Sequence, residues 1–390
     1  MRNIILKKTI CFFLGLFLLI LILSFNSVDI EDEPIDPVLN EQNNADFFKN
    51  RNVTDGPYIF YESNKIVVRW IKKNRLIERT ITGDNSRLFK RKFGFEISSG
   101  NLKQETPDST DYSQNFQNVE KFIAISDIHG QFDLFKKLLI NHGVADENLN
   151  WNYGTGHLIV LGDIFDRGDK VTELLWFVYR VEEQAIQAGG KVHYILGNHE
   201  LMILNNDCRY IHDKYISSAN KMNMVYSQFY DENTFLGKWL RTKPVLVTIN
   251  DILFVHAGIS PEFASKRYTP EQTNRLFHEN IIGKSWDNIL NDSLSSFLMD
   301  DFGPIWYRGY FKSNVSEYQI DSILSCLNTK HIVVGHTSLP NIISFINGKI
   351  IAIDSNIKDG NSGEVLIFEH GEFYRGTSNG DRIRLDVKSK

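Results

Sequence analysis

Residues 121–130 read KFIAISDIHG. Phe122, Ile123, Ala124 and Ile125 are apolar and β-prone and read as a buried strand, which stops at Ser126-Asp127-Ile128-His129-Gly130. Asp127 and His129 then sit at the carboxyl end of that strand, the edge at which α/β sheets bind ligands. Residues two apart in an extended stretch point to the same side, so a carboxylate and an imidazole converge. That is half of a metal site. Taken alone, the tetrapeptide reads more simply as a turn in which Asp127 caps the next helix.

Four later strand ends repeat the pattern. His157–Leu161 runs into Gly162-Asp163-Ile164-Phe165-Asp166-Arg167-Gly168, and Val192–Leu196 into Gly197-Asn198-His199-Glu200. Two further strands end at histidine, in Phe254-Val255-His256-Ala257-Gly258 and Val333-Val334-Gly335-His336-Thr337. Five strand ends thus bring Asp, Asn or His to one edge. The chemistry this suits is phosphoester hydrolysis by two divalent ions about 3.5–4 Å apart, which share a carboxylate and activate a water while neutralising the phosphate. Asp163, on the middle strand, is the natural bridge. Asp127 and His129 complete one metal site; Asn198, His256 and His336 complete the other. Oxygen and nitrogen ligands without thiolate suit manganese, iron or zinc. His199 is placed as the general acid for the leaving alkoxide, with Asp166 orienting its imidazole and raising its pKa. Arg167 is placed to grip phosphate oxygens in bidentate fashion, and Arg308, in Ile305-Trp306-Tyr307-Arg308-Gly309, is a second candidate clamp. Arg308 also reads as a packed surface cation. The remaining histidines, His142, His157, His193, His212, His278, His331 and His370, lack such context and read as structural.

The 390 residues, 42% hydrophobic, suffice for one large core or two smaller ones. A net charge of -5 gives no basic surface for nucleic acid. Cys11, Cys208 and Cys326 are too few and too scattered for a disulfide framework or a cysteine-rich metal cluster. Residues 1–25 place Arg2, Lys7 and Lys8 before an apolar run from Ile10 to Leu23, which reads as a signal anchor or a signal peptide. The basic flank predicts a cytoplasmic terminus and an extracytoplasmic remainder, periplasmic in a Gram-negative cell and tethered to the inner membrane if the leader is retained. An acidic linker (26–56), a small β meander (57–97) and a polar connector (98–118) precede the catalytic domain (119–380) and a tail (381–390). From Lys121 strand and helix alternate. The later half instead shows hairpin signals at Asn250-Asp251, Asn347-Gly348 and His370-Gly371, so an α/β first half joins a β-rich second half.

SDIHG, GDIFDRG, GNHE and the strands ending in His256 and His336 resemble the calcineurin-like metallophosphoesterases of the phosphoprotein-phosphatase superfamily. GDIFDRGDKV, GGKVHYILGNHELMILNNDCRY and PIWYRGY look most like the Shewanella-like bacterial protein phosphatases. The resemblance covers about residues 120–370. It implies an α/β (α+β) fold, a four-layer αββα sandwich with a dinuclear metal site at its edge, and the residue roles above agree with it. It also implies a phosphomonoesterase for phosphoproteins, on phosphotyrosine and/or phosphoserine/threonine, in which a metal-bound hydroxide attacks phosphorus directly. Alternatives are a dinucleoside tetraphosphate hydrolase, a broad small-molecule phosphatase, or an anchored binding module on a dead phosphoesterase fold. Ser126 and Ala257 stand where the eukaryotic serine/threonine enzymes usually carry glycine, and Ile353-Asp354-Ser355-Asn356 replaces their toxin-sensitive loop.

Overall fold

The strands form where apolar residues alternate or run together, and the helices where they recur at helical spacing. The computed structural model describes residues 52–387 except 64, 82–85, 98, 103–110 and 313–314. The leader 1–25 and most of the linker 26–56 lie outside the described residues. Among those described, no helix is long and apolar enough to cross a membrane, and Cys208 and Cys326 are unbridged.

Strands β1 (Asp55–Glu62), β2 (Lys65–Lys72) and β3 (Arg75–Ile81) form an antiparallel sheet in that order. Its second reversal uses Lys73 and Asn74 at φ of 48° and 66°, a turn conformation that asparagine tolerates. The sheet stops at Ile81, and helix Ser86–Phe93 occupies the later part of the 57–97 stretch. Phe89 and Phe93 are four residues apart, a helical spacing, and their rings lie 5.8 Å apart with Phe93 edge-on to Trp70. The connector 98–118 contains β4 (Asn115–Phe116), two residues that no periodicity could reveal.

β5 (Lys121–Ile125), β6 (His157–Leu161) and β7 (Lys191–Ile195) run parallel, with Ile123 beside Leu158 and Leu158 beside Val192. Parallel pairing needs crossovers, supplied by helices Phe132–Asn141 and Val171–Gln187. The second half adds β8 (Leu246–Ile249), β9 (Ile252–Val255), β10 (His331–Val334), β11 (Ile343–Phe345) and β12 (Ile350–Ala352). Last come β13 (Glu364–Glu369), β14 (Glu372–Thr377) and β15 (Arg382–Arg384). They form two six-stranded sheets, ordered β15-β14-β13-β5-β6-β7 and β11-β12-β10-β9-β8-β4. The three expected hairpins are present, with Asn347-Gly348 and His370-Gly371 both at positive φ as a tight two-residue turn requires. β15 lies in the stretch 381–390 expected to be a tail. It pairs with β14 and is held by Arg382–Glu369 and Arg384–Glu372 ion pairs rather than by apolar burial.

Each parallel strand is buried on both faces. Phe122, Ala124, Ile159 and Leu161 meet Val247, Phe254, Val333 and Ile351 in the layer between the sheets. Ile123, Ile125, Leu158 and Val160 turn outward to the helices, while Leu253, Val255, Ile332 and Val334 share an outer layer with Phe277, Ile320 and Ile323. Helices therefore cover the outer faces of two stacked sheets, a mixed α/β architecture. β9, β10 and β12 are parallel to one another, so each sheet contributes three carboxyl ends.

The N-terminal sheet is bound to this body by a buried polar cluster. Asp55 accepts hydrogen bonds from Tyr58 (2.8 Å) and Thr172 (3.0 Å), and Trp176 donates to the Pro57 carbonyl at 2.9 Å. Replacing Asp55 by Ala leaves the Tyr58 and Thr172 hydroxyls short of an acceptor, a loss of about 1–3 kcal/mol. The thermal midpoint of Asp55→Ala should therefore fall by several degrees, and an unchanged midpoint would show the cluster to be dispensable.

Candidate active site

Six parallel strand ends converge. β5 delivers Asp127 and His129, β6 Asp163 and Asp166, β7 Asn198 and His199, β9 His256, β10 His336 and β12 Asp354; all nine residues are buried. Local geometry explains the convergence. Asp127, His129, Asp163, Asp166, Arg167 and His336 all hold positive φ, between 43° and 70°. Left-handed backbone costs a non-glycine residue about 1–3 kcal/mol and persists only where surroundings enforce it. Here His129 N–H donates to the Asp163 carbonyl (2.8 Å), Gly130 N–H to Ile164 (3.0 Å) and Gly168 N–H to His129 (3.0 Å). Glycine permits the closest approaches: a Cβ on Gly197 would lie 2.3 Å from Asp163 Oδ1, and one on Gly335 1.9 Å from Ser126 Oγ.

Asp163 is the centre. Its Oδ2 lies 3.3 Å from His256 Nε2, 3.7 Å from His129 Nε2 and 3.9 Å from His199 Nε2. Burial alone would push its carboxyl up, but His256, His199 and His129 hold it well below the usual range. Two groups could each hold a metal ion, His129/Asp163/His199 and Asp163/His256/His336, with ligand atoms mutually within 4.8 Å. Both contain Asp163. His129 Nδ1 contacts the Phe165 carbonyl at 2.7 Å and His256 Nδ1 the Leu161 carbonyl at 2.8 Å. A carbonyl can only accept, so each Nδ1 carries the proton and each Nε2 faces the site as a ligand does. His336 Nε2 is buried with no hydrogen-bond partner, a cost that a bound cation removes. Burial and nearby cationic groups keep His129 and His336 neutral, the ligating form. Burial opposes protonation of His256, but Asp163 lifts it to about 10; metal ligation there displaces a proton. The donor set and its unsatisfied nitrogen fit a pair of divalent ions.

Other predicted residues surround this centre. Asp127 lies beside it, and its Oδ2 accepts from Ser126 Oγ and from His336 N–H at 2.9 Å. Asn198 Oδ1 is 2.9 Å from His256 Nε2. His199, expected only as an acid, also comes within ligand range of His129 and Asp163, while its Nδ1 lies 2.5 Å from Asp166 Oδ2. Arg308 Nη1 donates to the His336 carbonyl (2.9 Å) and Thr337 Oγ1 (3.2 Å), so it is built into the His336 loop. Arg167 is exposed, and its N–H donates to the Tyr210 carbonyl at 3.0 Å. His157 and His193 instead hydrogen-bond each other (2.9 Å) on β6 and β7, within the strands rather than at their carboxyl ends.

Two residues had no assigned role. Glu200, fully buried, accepts from the N–H groups of Asp163, Ile164 and Gly197 (each 2.8 Å) and from Tyr194 OH (2.9 Å). It ties the β6 end to the β7 end. An acidic residue three places after a helix-capping glycine was its sequence signal. Asp354 accepts from Ser338 Oγ (2.7 Å) and Asn356 N–H (3.0 Å), and after burial it is the main charge pushing the Asp127 carboxyl up. Ile350-Ile351-Ala352-Ile353-Asp354 repeats the apolar-run-then-aspartate pattern of β5.

Residues 120–340 match the family model for calcineurin-like phosphoesterase. Among curated proteins, Shewanella-like protein phosphatase 2 of Arabidopsis thaliana is 30% identical over 316 residues, 68% of this chain and 79% of the relative. Shewanella-like protein phosphatase 1 of Plasmodium berghei (strain Anka) is 30% identical over 260 residues, 63% of this chain and 70% of the relative. Among solved structures, the cold-active protein-tyrosine phosphatase of a psychrophilic Shewanella species is 38% identical with a TM-score of 0.78, covering 86% of this chain and 99% of that one. The family model spans five of the strand ends that meet at Asp163, from Asp127 to His336, and the chain belongs to the calcineurin-like phosphoesterase family.

Proposed function

We propose that this protein is a two-metal phosphomonoesterase acting on phosphoproteins. The observation that carries the reading is the sharing of Asp163 between two ligand groups. One ion would be held by Asp127, His129 and Asp163, the other by Asp163, Asn198, His256 and His336; manganese, iron and zinc all suit these donors. When bound, the ions supply Lewis acidity and an activated water for attack on phosphorus. The chain's own groups do the rest. Arg167 and Arg308 bind phosphate oxygens and orient the ester. His199 Nδ1–H is held by Asp166, which leaves the Nε2 proton for the departing oxygen. Relatives named as protein phosphatases, one as a protein-tyrosine phosphatase, support phosphoprotein as the substrate class. The leader, with Arg2, Lys7 and Lys8 before the apolar run, supports a membrane-anchored, extracytoplasmic enzyme.

Four outcomes are expected. Purified full-length chain with manganese should release phosphate from phosphotyrosine or phosphoserine peptides faster than from diadenosine tetraphosphate, and His199→Ala should lower kcat by about 10²–10⁴-fold. Turnover confined to the dinucleotide would overturn the substrate class. For pH dependence, burial opposes the His199 imidazolium but Asp163 and the Asp166 hydrogen bond raise its pKa above the ordinary value. The acid form then persists to higher pH, so Asp166→Asn should shift the alkaline limb of kcat/KM downward; an unmoved limb would remove Asp166 from the role. Finally, the expressed protein should remain in the membrane fraction after alkaline carbonate washing, and full release would argue for a cleaved leader.

A further inference from the structure

Both sides of the site carry a half-buried aromatic side chain that the proposed reaction does not use. The Tyr210 ring centroid is 5.6 Å from that of His199, and Trp306 stands edge-on to His336 at 5.7 Å. Tyr210 is held from several directions. The Arg167 N–H donates to its carbonyl at 3.0 Å, which ties it to the loop bearing Asp166. The Arg167 and Arg209 guanidinium carbons lie 5.9 and 5.6 Å from its ring centroid. Arg209 is itself clamped by Asp207 through Nε (2.9 Å) and Nη2 (2.8 Å). Two cations within about 6 Å of the centroid fix the ring by attraction to its negative face.

We propose that Tyr210 is a specificity-determining residue that favours aryl over alkyl phosphomonoesters. The argument rests on the proposed role of His199 as acid. The leaving oxygen must come within hydrogen-bond reach of His199 Nε2 to receive its proton. In an aryl ester the ring is bonded directly to that oxygen, which brings it beside the imidazole whose centroid lies 5.6 Å from that of Tyr210. Aromatic pairs gain from offset or edge-on contact at centroid separations of about 4.5–7 Å. A serine ester presents a methylene at the same place and gains no such contact. The reaction is hydrolysis in both cases. The phosphorus–oxygen bond to the leaving group breaks, water supplies the new oxygen on phosphorus, and the His199 Nε2 proton passes to the leaving oxygen. A proton from the attacking water restores the balance. Tyr210 exchanges nothing; it contacts the ring that leaves.

The test compares wild type, Tyr210→Leu and Tyr210→Phe on phenyl phosphate, glycerol 2-phosphate, and phosphotyrosine and phosphoserine peptides of one sequence. Tyr210→Met replaces Tyr210→Leu if the latter fails to fold. The non-aromatic variant should lose roughly two- to tenfold in kcat/KM on the aryl esters and less than that on the alkyl esters, while Tyr210→Phe keeps the wild-type preference. Equal losses on both classes would make Tyr210 a support for His199 and overturn the proposal, as would no loss at all. If wild type hydrolyses the small esters but neither peptide, the phosphoprotein reading fails, and the ratio of phenyl phosphate to glycerol 2-phosphate still decides the role of Tyr210.

Discussion

Asp163 Oδ2 lies within 3.3–3.9 Å of imidazole nitrogens from His129, His199 and His256, which follow β5, β7 and β9. The first two strands belong to one sheet and the third to the other, so a single carboxylate gathers side chains from both layers. Around it the fold also buries Asp127, Asp166, Glu200 and Asp354. Burying an isolated carboxylate costs several kcal/mol unless it is paired or ligates a metal. Burial pushes the Asp127, Asp166, Glu200 and Asp354 carboxyls up towards their neutral forms, while against the same burial His256, His199 and His129 hold Asp163 down. A pair of divalent cations suits this edge because it would favour the ionised carboxylates that burial opposes. This also gives the fold a stake in its ligands, because bound cations offset the desolvation that packing imposes on these carboxylates.

The surrounding structure holds that arrangement rigid by means that differ from strand to strand. Glu200 gathers three main-chain N–H groups and a tyrosine hydroxyl, fixing the turn after β6 against the start of the helix after β7. Gly197 and Gly335 let backbone approach where any side chain would collide with Asp163 or Ser126. The N-terminal sheet reinforces the same region. Tyr58 of β1 contacts Tyr230, Tyr230 stacks edge-on with Phe165 at 4.8 Å, and the Phe165 carbonyl fixes the tautomer of His129. A sheet that contributes no residue to the site thus stands behind one of its histidines.

Much of this was legible because strand ends advertise themselves. Apolar runs that stop at Asp, Asn or His can be read without knowing how strands pair, and the five so read do meet. What could not be read depends on contacts made across the fold. Asp354 follows a three-residue strand that resembles one arm of a hairpin, and only its parallel pairing with β10 turns its end toward the others. Glu200 acts through main-chain groups of residues 163 and 164, a partnership with no signature in spacing. β4 and β15 are too short or too polar for alternation to show. The placement of Tyr210 beside His199 arises from a loop whose path the sequence does not dictate locally. His199 itself reads as an acid from its neighbour Asp166, while its nearness to His129 and Asp163 emerges only in three dimensions.

The central claim is that Asp163 serves two cations at once, and a calorimetric titration of manganese into metal-free wild-type and Asp163→Ala proteins tests it most directly, with circular dichroism to establish folding. The account predicts two ions per chain for wild type and the weakening of both sites together in the variant. A folded Asp163→Ala protein that still bound one ion with wild-type affinity would contradict it.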